Sequence, residues 1–246
     1  MISEERKIWI RRQYEKLRGL PYSIYFNFHY LPLHQAIHLP ILLYKPHFKA
    51  LRGRILISSN MGGGVKFGMI RLGFTTVSIY RQKGVIFENH GGTIIFRGKC
   101  HMGNGTAISI GSNGYLDVGD GFSANTMAKI ICYHRIEMAE NVCFGWDCMI
   151  MDTDFHYLTK ESGGYSKGYA PIRIGRDAWF GNGCRIMKRT ILPERCVVQS
   201  GTTLSEPIDV PPCSIIGHDH RIVVKASGAW RDPQNNLITD YPAPEA

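Results

Sequence analysis

The chain has 246 residues, and 44% of them are hydrophobic, which is enough for one domain or for a domain with an appendage. Its formal net charge of +9 fits a polyanionic partner, such as nucleic acid, an acidic membrane surface or a phosphate-bearing cofactor, although solubility alone also explains it. The seven cysteines form no CxxC pair and no cluster with histidine, so neither a disulfide framework nor a zinc site is indicated. The first residues, MISEERKIWIRR, lack the apolar core of a signal peptide, and we expect a cytoplasmic protein.

Residues 1–52 read as an apolar and basic N-terminal extension. Residues 4–17 predict a short charged helix that Gly19 and Pro21 would end. Residues 22–46 are aromatic and apolar, but Pro32, Pro40 and three histidines interrupt them before a membrane-spanning length of about twenty apolar residues is reached. The segment therefore either packs on the protein or lies on the inner membrane surface as a peripheral contact. Packing is the more common arrangement for such a segment.

Residues 174–209 repeat with a period of six. A helix has apolar residues three and four apart and a strand alternates, so neither explains this period, whereas a hexapeptide β-helix does. Gly175 and Gly181 occupy the second hexad position, which requires a positive φ or a close backbone approach. The first position of each hexad is bulky and apolar and should point into the prism: Ile174, Phe180, Ile186, Leu192, Val198 and Leu204. The residue four places later is mostly small: Ala178, Cys184, Thr190, Cys196, Thr202 and Ile208.

The same period extends upstream and gives a β-helix domain over residues 53–225. The count slips by two between Ile130 and Met138, and residues 53–98 have short β-runs without a clean register, which we interpret as irregular first coils or a cap. Prolines after Leu204 end the stack, and residues 226–246 form a polar tail. The other predicted inward positions are Val118, Ala124, Phe144 and Ile150.

Residues 152–171 have polar residues at the register points and must leave the prism as a loop. Within it, His156 follows Asp152 and Asp154 in the sequence DTDFH. A neutral imidazole can remove a proton from a hydroxyl, and a neighbouring carboxylate or carbonyl can fix its tautomer. The alternative is that His156, one of ten histidines, merely caps the loop.

These motifs resemble a known family. The hexads, DTDFH, PIRIGRDAWFGNG, VQSGTT and VPPCSIIG are similar to those of hexapeptide-repeat acyltransferases, in the maltose, galactoside and xenobiotic acetyltransferase branch, and most of all to its surface- and capsular-polysaccharide O-acetyltransferases. The resemblance covers about residues 90–225. It implies an all-β fold, a left-handed parallel β-helix that assembles as a homotrimer. It also implies acetyl-CoA as co-substrate in a groove between neighbouring prisms, a saccharide acceptor and no metal.

The resemblance also implies roles for single residues. His156 matches the general base that deprotonates a sugar hydroxyl for attack on the thioester, while backbone N–H groups hold the oxyanion. We assign Asp154 to the catalytic group, and Asn125 and Asp152 to the acceptor side. The residues that match the coenzyme site are Trp179, Ser200, Gly201 and Ser205 along the pantetheine arm, and Arg221 and Lys225 near the adenosine phosphates.

Two departures from the family pattern bear on the site. The acceptor-side asparagine of the family is Met127 here, and the usual Gly-Asn-Pro-Ala after the last coil is replaced by Gly217 and the His-Asp-His that follows it. The acceptor and the shape of the coenzyme's far end therefore stay open.

Three rival functions rank lower. A γ-class carbonic anhydrase needs three zinc-binding histidines, with the last two five residues apart, and only His29 and His34 have that spacing. A non-catalytic β-helix scaffold, or a membrane-apposed partner protein, predicts a shortened loop or no histidine at position 156. A nucleic-acid binder is indicated by charge alone, because the basic residues are dispersed and no binding motif accompanies them.

Overall fold

The computed structural model describes residues 4–58, 64–217 and 229–231. Two helices, α1 (Glu4–Tyr30) and α2 (Leu33–Ala36), precede the strands, which are numbered in chain order. Sheet A contains β1 (Ile41–Leu43), β4 (Ile70–Phe74), β7 (Cys100–Gly103), β10 (Phe122–Ala124), β13 (Cys143–Phe144), β17 (Trp179–Phe180), β20 (Val197–Val198) and β22 (Ile215–Ile216). Sheet B contains β2 (Pro46–Leu51), β5 (Val85–Asn89), β8 (Thr106–Ile110), β11 (Lys129–Cys132), β14 (Met149–Met151), β18 (Arg185–Met187) and β21 (Thr203–Leu204). Sheet C contains β3 (Arg54–Ile57), β6 (Thr93–Phe96), β9 (Tyr115–Val118), β12 (Arg135–Met138), β16 (Ile172–Ile174) and β19 (Ile191–Leu192). A further pair, β15 (Leu158–Lys160) and β23 (Ala229–Arg231), is antiparallel.

The chain visits sheets A, B and C in turn. A strand therefore pairs in parallel with the strands one circuit before and after it, as β11 does with β8 and β14. Ile130 is aligned in register with Ile108 on one side and Ile150 on the other. Three parallel sheets of many short strands are compatible with a parallel β-helix, and we call each circuit of A, B and C a coil.

The core lies between the three sheets. The six bulky hexad residues predicted to point inward are each at most 4% exposed, which confirms their predicted burial. Phenylalanines from successive coils stack edge to face along the core, with ring centroids 5.3 Å apart for Phe122 and Phe144 and 5.0 Å apart for Phe144 and Phe180. Cys184 and Cys196 are also buried, as their hexad positions predict. The period of six thus identifies the residues that fill the interior.

Gly175 and Gly181 mark close approaches between coils. Neither has a positive φ. A Cβ atom on Gly175 would lie 2.4 Å from the backbone nitrogen of Glu194, and one on Gly181 would lie 2.6 Å from Oγ of Ser200. Of the two reasons for glycine at this hexad position, close approach is the one that applies.

The sheets begin earlier than the hexads indicate. Strands β1 and β2 lie within the predicted extension of residues 1–52, so the boundary at 52/53 falls inside the first coil. The β-runs at residues 54–57, 70–74, 85–89 and 93–96 are parallel strands of the three sheets, with one register shift between Leu72 and Phe74. The count of six fails there because β4 begins thirteen positions after the end of β3, at Ile70, and β5 begins eleven positions after the end of β4, so the strands do not follow one another at a multiple of six.

The predicted end of the first helix is wrong. Helix α1 continues through Gly19 and Pro21 to Tyr30. Gly19 crosses strand β1 so closely that a Cβ atom would lie 2.0 Å from the carbonyl oxygen of Leu43. Pro21 lies on the exposed side, where water can reach the carbonyl that lacks an N–H partner. Gly19 therefore serves the contact with the sheet, and Pro21 is tolerated on the exposed side, so neither ends the helix.

Neither helix in the described part of the chain is long and apolar enough to cross a membrane. Arg221, Lys225 and nearly all of the predicted tail, residues 226–246, lie outside the described residues.

Candidate functional site

The loop predicted at residues 152–171 leaves the sheets where sheet B would continue into sheet C. Strand β14 ends at Met151 and β16 begins at Ile172. An antiparallel bridge between Thr153 and Tyr169 closes the base of the loop, and the backbone N–H of Asp154 donates to the carbonyl of Gly168 at 2.7 Å. Backbone hydrogen bonds therefore join the two ends of the loop, close to Asp154 and His156.

Asp152 anchors the loop from inside the protein. Its side chain is fully buried, and its two carboxylate oxygens accept the backbone N–H groups of Tyr133 and His134, each at 2.8 Å. Burial raises the pKa of Asp152 to about 6, against the opposing effect of these donors. The assignment of Asp152 to the acceptor is therefore corrected: the carboxylate has no exposed surface to offer, and it clamps the turn between β11 and β12.

His156 lies partly exposed beside this base. Its Nδ1 is 3.3 Å from the backbone carbonyl oxygen of Asp154. Because a carbonyl can only accept, this contact favours the tautomer with the proton on Nδ1 and leaves Nε2 as the basic nitrogen. The preceding Phe155 has a φ of 62° and packs its ring against Tyr133 at 4.8 Å between centroids, which fixes the backbone that presents the histidine.

The carboxylate of Asp154 has a different partner. Its Oδ2 lies 2.6 Å from Nζ of Lys188, in the next coil. Of the two groups that could fix the tautomer of His156, a carboxylate or a carbonyl, the structure shows the backbone carbonyl of Asp154 in contact with the ring. The side chain of Asp154 ties the loop to Lys188, the residue after β18. The sequence does not predict the contact with Lys188. The lysine belongs to one coil and the loop leaves the coil before it, and no sequence pattern relates the two positions.

Trp179 lies on the outer face of sheet A. It is 53% exposed and aligned with Cys143 and Val197 in the neighbouring strands. A large exposed indole on a strand can pack against a ligand.

Ser200 and Gly201 lie at the corner between sheets A and B, and both are exposed. Oγ of Ser200 accepts the backbone N–H of Asn182 at 3.0 Å, and Gly201 has a φ of 76°. Asn125 is half-buried at the same A–B corner, where its backbone N–H donates to the carbonyl of Phe144 at 3.0 Å. Ser205 is exposed at the other corner, between sheets B and C.

One chain does not bring these residues together. His156 and Ser205 lie at the B–C corner, whereas Asn125, Ser200 and Gly201 lie at the A–B corner. In one coil, residues 147 and 152 mark the two corners, and the extended chain between them spans about 16 Å. The predicted groups therefore occupy opposite margins of sheet B, with Trp179 beyond one of them on sheet A.

A basic cleft on sheet A was not expected from the sequence. Arg71, His101 and Ser123 are aligned in neighbouring strands, in the row that continues through Cys143 to Trp179. Burial, and then the charges of Arg71 and Arg12, lower the pKa of His101. The cleft has a volume of about 500 Å³ and includes Lys66 and Lys99 but no acidic side chain. Its chemistry suits an anionic group.

Among residues 4–58, 64–217 and 229–231, no group of three or more histidine, cysteine, aspartate or glutamate side chains could hold a metal ion. No protein-family model matches the chain, and a search of the curated proteins found no match.

Proposed function

We propose that the chain is an acetyl-CoA-dependent O-acetyltransferase of the hexapeptide-repeat kind, which acts on a saccharide or on a precursor of a surface polysaccharide. The observation that carries this proposal is the anchored loop of residues 152–171. It presents His156 at the corner between sheets B and C. The hexapeptide classification is part of the same proposal, supported by the burial of the bulky residue of each hexad from Ile174 to Leu204. The left-handed winding is part of it too and rests on the family resemblance.

In this reaction the Nε2 atom of His156 takes the proton from the acceptor hydroxyl. The oxygen attacks the thioester carbonyl, the C–S bond breaks, and the thiolate of coenzyme A leaves and takes up a proton, which His156 can return. The backbone carbonyl of Asp154 stabilises the imidazolium through the N–H on Nδ1. No covalent enzyme intermediate is required. Holding donor and acceptor together supplies much of the acceleration.

The separation of the predicted groups supports a site shared between chains, and the family resemblance implies that the assembly is a homotrimer. A complete site needs the histidine and the coenzyme-binding residues in one place. In one chain Ser205 lies at the same corner as His156, whereas Ser200 and Gly201 lie at the opposite margin of sheet B. The proposal requires a ring of three chains in which the B–C corner of one chain faces the A–B corner and Trp179 of the next. Acetyl-CoA would occupy this groove along Trp179, Ser200 and Gly201. Sedimentation velocity should then give three times the chain mass of 27.8 kDa.

The enzymatic test measures thiol release from acetyl-CoA with a panel of mono- and oligosaccharides. Acceptor-dependent release should fall by about a hundredfold or more in His156→Ala, the order expected for removing a general base. His90→Ala is the matched control, because His90 is an exposed histidine at the same B–C corner in an earlier coil, and its release should equal that of the wild type.

Two outcomes would overturn the proposal. Release that His156→Ala leaves intact would assign the base to another residue. No release with any acceptor, together with no binding of acetyl-CoA in calorimetry, would favour the non-catalytic scaffold.

A further inference from the structure

Helix α1 has its polar side inward. Glu15, Gly19, Ser23 and Asn27 recur every four residues and are all buried against the sheets. Oγ of Ser23 accepts the backbone N–H of Leu43 at 2.9 Å. The side-chain amide of Asn27 pairs with both backbone groups of Ile41, donating at 2.7 Å and accepting at 3.1 Å. The helix thus satisfies the free edge of sheet A with polar side chains. Phe26 is the apolar exception on this face.

The opposite side of α1 carries an apolar stripe. Its residues are three, four or seven positions apart, which places them on one line of the helix, and each is between 43% and 70% exposed: Ile10, Tyr14, Leu17, Ile24 and Phe28. At 1.5 Å per residue the stripe is about 27 Å long. An exposed apolar surface of this extent on one helix indicates a binding surface rather than scattered side chains.

Positive charge lies beside the stripe. Lys7, Arg11 and Arg18 are four and seven residues apart, so they form a second line next to the apolar one. Residues 4–18 contain six basic and three acidic residues, and one of the acidic residues, Glu15, is buried against Thr75. The exposed surface around the stripe is therefore strongly positive.

We propose that the outward face of α1 lies on an anionic phospholipid surface, with the apolar stripe in the interface between headgroups and acyl chains and the basic line against the lipid phosphates. An apolar face flanked by lysine and arginine is the pattern of helices that lie in the plane of a membrane. A second copy of the chain is a poorer occupant, because stripe-to-stripe contact would bring two basic lines together. This inference does not depend on the proposed acetyl transfer.

The test is co-sedimentation of the full chain with vesicles. Vesicles of phosphatidylcholine and phosphatidylglycerol in equal parts should bind the wild type at least tenfold more strongly than vesicles of phosphatidylcholine alone. High salt should weaken this binding.

Ile24→Ser and Ile215→Ser form the matched pair of variants. Both isoleucines are exposed, at 43% and 72%, but Ile215 is on β22, at the end of sheet A away from β1. Ile24→Ser should weaken binding to anionic vesicles about tenfold, and Ile215→Ser should bind like the wild type. Circular dichroism and an unchanged Tm should show that both variants are folded.

Three results would overturn the proposal: no binding of the wild type to anionic vesicles, equal binding by Ile24→Ser and the wild type, or a loss of self-association in Ile24→Ser seen by sedimentation velocity. The last result would assign the stripe to a second copy of the chain.

Discussion

Helix α1 and the coils distribute polar and apolar side chains in opposite ways. In the coils the bulky apolar residues point inward, and their backbone groups pair from strand to strand. In α1 the inner face is largely polar, with Ser23 and Asn27 bonded to the backbone of β1, while Leu17 is 70% exposed. The contrast shows that an end strand of a stacked sheet needs partners for its N–H and C=O groups, and that this need decides which face of the helix turns inward.

The largest difference in stability between the coils and α1 should come from replacing one phenylalanine in each. Phe144→Ala removes a fully buried ring between Phe122 and Phe180 and should lower the free energy of unfolding by about 3–5 kcal/mol. Phe28→Ala, on the outer face of α1, should change it by less than about 1 kcal/mol. Urea unfolding of both variants measures the difference, and equal losses would contradict the assignment of inside and outside.

A reciprocal exchange on α1 should have the next largest effect. Asn27→Leu makes the buried face more apolar but leaves the N–H and C=O of Ile41 without partners, so it should lower the free energy of unfolding by about 2–3 kcal/mol. Leu17→Asn makes the exposed face more polar and should lower it by less than about 1 kcal/mol. An ordinary amphipathic helix would give the opposite order, and observing that order in urea unfolding would refute the account of α1.

The smallest effect on stability should come from the loop, which is also held by a polar contact. Lys188→Met removes the ion pair with Asp154, in which both side chains are partly exposed, and should lower the free energy of unfolding by less than about 1 kcal/mol. Acetyl transfer, if the proposed function holds, should fall about tenfold because the backbone that presents His156 is less well fixed. Arg185→Met, on strand β18 three residues before Lys188, serves as the control. An equal loss of transfer there would contradict a specific role for Lys188.

The sequence predicted the interior well and the polar contacts poorly. Phe180 and Ile186 could be assigned to the core because each coil repeats the same cross-section, so a period in the sequence becomes a row of buried side chains. The prediction that Gly19 ends the helix is wrong because helix propensity is a local property, and glycine has a low one. The close approach of Gly19 to Leu43 joins distant parts of the chain, and no local pattern indicates it.

For the candidate site, the sequence predicts the loop that the structure shows, and the catalytic role of His156 stays a prediction. The loop and His156 follow from a break in the hexad pattern, which is a local signal. The partners of the two aspartates do not, because Asp152 bonds to the turn at residues 133–134 and Asp154 to Lys188. These contacts join positions with no fixed separation in the sequence.

The most direct test of acyl transfer follows the acetyl group itself. Acetyl-CoA that is isotopically labelled at the acetyl carbonyl is mixed with the chain and a saccharide, and NMR distinguishes the thioester from an oxygen ester. The account predicts that the wild type moves the label into an ester of the saccharide, and that His156→Ala does so about a hundredfold or more slowly. A label that stays in the thioester with every saccharide offered, or that moves equally fast with His156→Ala, would contradict it.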